Sequence, residues 1–175
     1  MPSGPPAPDF ATWYASAFPT ISRALALAAG DPVVGEEATA EAFARALARW
    51  SRVGTMASPE AWTYAVAVNE LRRTWRRAAL ERRALARHRE DHVPPPAEPD
   101  DALWRAVAQL PPRQRTAVAL RYVADLPEAD IADAMNVTRG TVAASLAAAR
   151  KTLSTRLVPD DASEATTSTP EGVTP

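Results

Sequence analysis

The stretch LPEADIADAMNVTRGTVAASLAAARKTL, from Leu126 to Leu153, decides how this chain folds. A short helix is expected to end near Met135, a turn to follow at Asn136-Val137-Thr138, and a longer helix to run to about Leu157. Ala132, Asn136 and Val142 stand at the spacing a helix-turn-helix requires. It needs a small residue where two helices cross, a residue tolerant of the left-handed conformation in the turn, and an apolar residue in the shared core. Asn is the next choice after Gly for that turn. Val142, Leu146, Ala149, Leu153 and Leu157 form the predicted buried stripe of the second helix. An ordinary helical hairpin is the alternative. A predicted preceding helix from Arg113 to Tyr122, and the lack of any acid between Thr138 and Leu157, favour a DNA-binding unit.

Working outward, the prolines divide the chain. Of 17 in 175 residues, four lie in the first eight and four between Pro94 and Pro99, while none falls between Pro32 and Pro59, Pro59 and Pro94, or Pro127 and Pro159. A proline in a helix interior costs about 3 kcal/mol, so the gaps mark where long helices fit. The expected organisation is a disordered start over 1–8, a helical domain over 9–89, an acidic Pro-rich linker over 90–100, a second helical domain over 101–158 and a disordered tail over 159–175. The linker composition implies an extended, semi-rigid spacer, and the tail has too few apolar residues to offset the entropy of ordering it. Ala is abundant and Gly scarce, which favours helices throughout. The predicted fold class is all-α, with two small helical domains.

In the first domain, Asp31-Pro32 and Ser58-Pro59 each put a capping side chain before a proline at the first helical position, so helices should start there. The first should reach about Trp50 and the second the 80s. Upstream, Phe10, Trp13, Tyr14 and Phe18 recur at helical spacing, with Pro19 expected to break or kink the segment. Nine of the eleven aromatic residues lie within the first 75, so this domain should hold the more cohesive core.

Charge is balanced overall, at a formal net of −1, but not along the chain. RRTWRRAALERRALARHR, from Arg72 to Arg89, holds eight arginines and one glutamate. A solvated helix face would normally pair such cations with acids four residues away, and here Glu81 stands nearly alone. The stripe therefore points to a polyanion or an acidic partner, with arginine favoured for its bidentate grip on phosphate. Cys is absent, which removes disulfides, thiolate metal sites and a thiol nucleophile. His88-Arg-Glu-Asp-His92 sets two imidazoles one turn apart, but the order is not that of a zinc-protease helix, and no metal or other cofactor is expected. No Gly-rich phosphate loop, nucleophile elbow or spaced carboxylate pair is present, so no catalytic residue and no enzyme activity are expected. With no long apolar run and no signal-like start, the expectation is a cytoplasmic protein without membrane contact.

LPPRQRTAVALRYVADLPEADIADAMNVTRGTVAASLAAARKTL, from Leu110, resembles the fourth conserved region of bacterial RNA polymerase sigma factors of the extracytoplasmic-function (ECF) group. EEATAEAFARALARW, from Glu36, and PEAWTYAVAVNELRRTWRR, from Pro59, are similar to their second conserved region. The order of the regions and the intervening linker also match, and the likeness extends over nearly everything from Phe10 to Leu157.

The resemblance implies a transcription initiation factor whose partners are core RNA polymerase, promoter DNA and an unidentified anti-sigma factor. It implies core-polymerase binding by Glu37, Glu41, Phe43 and Arg45, although Phe43 equally fits the domain's own core. Ala40 stands where the family's signature carries Gln. Minus-ten DNA binding falls by resemblance to Val53, in a loop over Ser51 to Ala57 that would hold an extruded base, and to Asn69, with Arg72, Arg73, Arg76 and Arg77 holding phosphates. Trp62, Tyr64 and Trp75 are able to stack on bases, but Tyr64, Val68, Leu71 and Trp75 share one helical face, which favours a core role. Minus-thirty-five DNA binding would rest on Arg113, Arg115, Arg139, Thr141, Arg150 and Lys151. Here the chain departs from the family: Ala143, Ala144, Ser145 and Ala148 replace polar or basic residues of the recognition helix, which predicts weak, shape-dominated duplex contact. The alternatives are a sigma-like protein that binds polymerase or a partner with weakened duplex recognition, and a stand-alone helix-turn-helix regulator.

Overall fold

A computed structural model describes residues 9–85 and 102–157, and these form eight helices and no strand. In chain order they are α1 (Phe10–Ala29), α2 (Pro32–Ala48), α3 (Trp50–Val53), α4 (Pro59–Leu85), α5 (Ala102–Ala108), α6 (Pro112–Tyr122), α7 (Glu128–Met135) and α8 (Arg139–Leu157). The ends, the linker and the His88–His92 pair lie outside the described residues.

Local chemistry sets the helix starts. Asp9 accepts from the Thr12 amide at 3.2 Å, Asp31 from the Val33 and Val34 amides at 2.9 and 3.3 Å, and Ser58 from the Ala61 amide at 3.0 Å. Each side chain satisfies donors that the first helical turn leaves open. Pro19, expected to break or kink α1, does not break it: the helix runs through it from Phe10 to Ala29. Pro19 lies on the exposed side, where the carbonyl it leaves unpaired stays open to water, while the opposite side of α1 is held by burial of Trp13, Ala17, Ile21, Ala24 and Leu25.

The helices α1, α2 and α4 pack around an aromatic cluster. Trp13 lies 4.6 Å from Trp50 and 5.3 Å from Phe43, and Tyr14 meets Phe43 edge-on at 4.9 Å. The Trp13 indole donates to Glu60 at 2.6 Å, tying α1 to the first turn of α4. Gly35 permits the close crossing of α1 and α2, since a Cβ there would come within 2.5 Å of the Ala26 backbone.

The two groups of helices are packed on each other in this arrangement. α6 lies against α1 and α7 against α4, while α8 covers the other sides of α5, α6 and α7. Six successive residues of α6, Arg115 to Leu120, are buried, so neighbours enclose the helix on every side. The apolar core is continuous from Trp13 in α1 to Ala149 in α8.

Candidate nucleic-acid interface

The helix-turn-helix geometry follows from Asn136. It ends α7 at φ 46°, ψ 55°, in the left-handed region, and its amide bonds to the Asp133 carbonyl at 3.0 Å while that of Val137 bonds to the Ala132 carbonyl at 2.9 Å. Ala132 and Val142 are buried at the crossing, as their spacing predicts. The Thr138 hydroxyl then receives the Thr141 amide at 3.2 Å and starts α8. Val142, Leu146 and Ala149 are buried and Leu153 is half-buried, but Leu157, expected to complete the stripe, is exposed.

The outer face of α8 is sparsely charged. Arg139 is exposed at its first turn and Arg150 and Lys151 beyond its middle, with Ala143, Ala144, Ala147 and Ala148 exposed between them. Thr141 is half-buried and its hydroxyl meets that of Thr138 at 2.9 Å. Ser145 is buried and donates to the Thr141 carbonyl at 2.7 Å, which turns it away from solvent. Methyl groups reach thymine methyls and little else, so the polar groups this face offers lie at the ends of the helix.

On α4, Asn69, Arg72, Arg73, Arg76 and Arg77 recur at three- and four-residue spacing and share one side of the helix. Asn69, Arg73, Arg76 and Arg77 are exposed and Arg72 is half-buried. Glu70 was not singled out from the sequence, yet its Oε1 lies 2.8 Å from Arg73 and 2.7 Å from Arg45, and Arg45 also contacts Glu41 at 2.6 Å. A carboxylate at the junction of α2 and α4 thus partly neutralises two of the expected contact residues. Arg72 differs: burial first, then the positive charges of Arg113 and Arg76, pushes its guanidinium below the usual arginine range.

One expected base contact is enclosed. Val53, at the expected base-pocket position, is 1 % exposed and closes α3, so the stretch read as a loop from Ser51 begins as a helical turn. A base reaching Val53 has to displace its covering neighbours. Tyr64, Val68 and Leu71 are buried and Trp75 half-buried, which makes that stripe core; burial, with Glu60 nearby, pushes the Tyr64 hydroxyl well above its usual range.

Glu37, Glu41 and Ala40 line the exposed side of α2, whereas Phe43 is 4 % exposed within the aromatic cluster. Phe43 reaches the surface only as the floor of a groove of about 380 Å3 between α1 and α2, rimmed by Tyr14, Phe18, Glu36 and Leu47.

Arg115 departs most from its expected place. It does not face outward beside Arg113, but is buried and donates to the carbonyls of Ala28 at 2.9 Å, Ala29 at 2.6 Å, Ala108 at 2.8 Å and Leu110 at 3.4 Å. The guanidinium sits at the C-terminus of α1, where unpaired carbonyls and the helix dipole favour a cation. Gly30, at φ 70°, gives it room: a Cβ there would lie 2.5 Å from the guanidinium carbon. The sequence signal was limited to an arginine near the start of α6; two of its four partners are 86 and 87 residues away. Among the described residues no group of His, Asp or Glu is arranged to hold a metal, and no helix is long and apolar enough to cross a membrane.

These features define an all-helical protein with a helix-turn-helix in its second half. Residues 100–153 match the family model for sigma-70, region 4. Across both halves the fold is similar to that of the sigma factor RpoE from Bartonella quintana, solved in complex with the anti-sigma factor NepR. The TM-score is 0.72 at 18 % identity, covering 87 % of this chain and 98 % of that one. A chain in the complex of the anti-anti-sigma factor PhyR with NepR, also from Bartonella quintana, is similar at TM-score 0.53 and 17 % identity, over 85 % of this chain and 51 % of that one. No curated protein sequence matches at a significant level. Residues 100–153 are therefore similar to sigma-70 region 4, and the chain as a whole shares its fold with the sigma factor RpoE, in line with its sequence resemblance to the ECF group.

Proposed function

We propose that this chain is a transcription initiation factor of the ECF sigma group, which binds core RNA polymerase, recognises promoter DNA and assists strand opening at the minus-ten element. The observation that carries this is a region 4 helix-turn-helix joined to a first half with the remainder of the sigma fold. Core polymerase docks on the α1–α2 side, where the apolar groove floored by Phe43 lies beside the exposed acids Glu37 and Glu41. Asn69 and the arginines of α4 hold the opened strand. Arg139, Thr141, Arg150 and Lys151, with Arg113, give α8 and α6 a weak hold on the minus-thirty-five element. The protein is non-catalytic, and its partners place it in the cytoplasm.

The packed arrangement does not engage both elements at once. Their centres are separated by about 25 base pairs, roughly 85 Å at 3.4 Å per pair, while a compact chain of this length has a radius of gyration near 16 Å. Promoter binding therefore requires the two halves to part, and the packed form suits the chain held in reserve by an anti-sigma partner. Run-off transcription with purified core polymerase tests the proposal. A defined start that depends on this protein is expected; polymerase binding without a defined start, or no polymerase binding, overturns it.

A further inference from the structure

Between the two halves lies a cleft of about 510 Å3, bounded by α4 on one side and by α6 and the α7–α8 turn on the other. Three guanidinium groups line it, Arg72 and Arg76 from α4 and Arg113 from α6, and among the described residues no carboxylate does. Within the cleft Arg76 donates to the Arg72 carbonyl at 3.3 Å, while three arginines elsewhere meet more acceptors or an acid. Arg45 and Arg73 meet Glu70, and Arg115 meets four carbonyls. In the cleft the positive charges face one another, and Arg72 is both partly withdrawn from water and repelled by its two neighbours. Mutual repulsion in a partly desolvated cleft is relieved by a bound anion.

Two further features narrow the ligand. The N-cap of α6 is Pro111, which offers no side-chain acceptor, so no capping side chain serves the amides of Arg113 and Gln114 in the first turn of α6. Apolar side chains also line the cleft, Val68 and the half-buried Trp75 from α4 and Val137 from the α7–α8 turn. The volume lies within the range of small-molecule sites, roughly 300–1,000 Å3, and exceeds what a simple phosphate ion fills.

We infer that this cleft is a binding site for a small organic polyphosphate of the nucleotide class, its phosphates held by Arg72, Arg76 and Arg113 and its ring system lying against Trp75. Guanidinium groups grip phosphate oxygens bidentately, and an indole face accepts a flat heterocycle. Because the arginines come from both halves, occupancy ties α4 to α6 and stabilises the packed arrangement by mass action. The site stands on its own geometry and does not depend on a role in transcription.

Isothermal titration of the full chain at about 0.15 M salt tests it, with ATP, inorganic pyrophosphate and a single-stranded oligodeoxynucleotide lacking a terminal phosphate as separate probes. ATP is expected to bind at one site and raise the thermal midpoint, with pyrophosphate weaker for want of a ring. Loss of one charge-assisted contact corresponds to about 10-fold or more in affinity, so Arg113→Ala and Arg72→Ala should each weaken ATP by that factor, and Arg139→Ala should not. Arg113→Gln, which keeps side-chain volume at an exposed position, should weaken ATP as Arg113→Ala does, guarding against a folding defect. Three outcomes overturn the assignment: no saturable heat and no midpoint shift at about 1 mM ATP, undiminished ATP binding by Arg113→Ala and Arg72→Ala, or binding of the oligonucleotide alone. The last would make the cleft part of a nucleic-acid path.

Discussion

Replacing Arg115 by Ala removes one side chain and leaves four carbonyls short of a donor, two at the end of α1, one at the end of α5 and one in the α5–α6 connection. A hydrogen bond to a charged group contributes about 1.5–3 kcal/mol, so the two bonds that cross to α1 amount to roughly 3–6 kcal/mol before offsets. Against this stands the cost of burying the guanidinium, visible in its depressed pKa, and the entry of water into the vacated space. A net loss of about 2–4 kcal/mol is expected, equivalent to a shift of roughly 30- to 1,000-fold in the balance between packed and parted halves. Small-angle scattering should report a larger radius of gyration for Arg115→Ala, and urea unfolding should lose its single sharp transition. Arg115→Lys keeps the charge at the helix end without the planar fork, and should fall between. Gly30→Ala should imitate the loss from the other side, since its Cβ meets the guanidinium and its backbone sits at φ 70°. In Arg115→Ala the collision part of that penalty should vanish, leaving about 1–2 kcal/mol of backbone strain. An unchanged radius with stability within about 0.5 kcal/mol of the parent would refute Arg115 as the residue that holds the halves together.

Asn136→Val places a β-branched residue in the left-handed region and should cost about 1–2 kcal/mol in urea unfolding, whereas Asn136→Gly should be nearly neutral; equal effects would mean the turn relaxes to another conformation. Converting Arg72, Arg73, Arg76 and Arg77 together to Ala should lower promoter affinity and flatten its salt dependence by up to about 3–4 units of log–log slope, with Arg73 contributing least because Glu70 already holds it; an unchanged slope would place the strand elsewhere. Phe43→Ala should cost about 3–5 kcal/mol of stability, while Glu37→Ala should leave the fold intact and weaken polymerase capture alone; equal stability for the two variants would contradict the burial of Phe43.

The caps and the turn were legible because their partners are local. Asp31, Ser58 and Asn136 each act within three or four residues, and residue type plus spacing suffices to place them. The alanine-rich face of α8 was legible for the same reason, since helical periodicity determines which side chains lie beside Val142 and Leu146. Pro19 does not break α1 because local propensity yields to packing when one side of a helix is firmly buried. Val53 and Phe43 carry no sequence mark that separates a buried apolar side chain from one that greets a partner. Glu70 looked like an ordinary surface acid until α2 brought Arg45 to it.

From its residues alone this chain determined that it is helical, where its helices begin, and that its second half ends in a helix-turn-helix, because each of those outcomes is governed by interactions within about one turn of backbone. Only the tertiary structure decided that α6 is enclosed between the halves, that Arg115 caps α1, and that Arg72 and Arg113 confront each other across a cleft. Those contacts join residues more than forty positions apart. Their energies depend on desolvation and on the meeting of unpaired charges and carbonyls, quantities that exist only once the chain has brought its surfaces together.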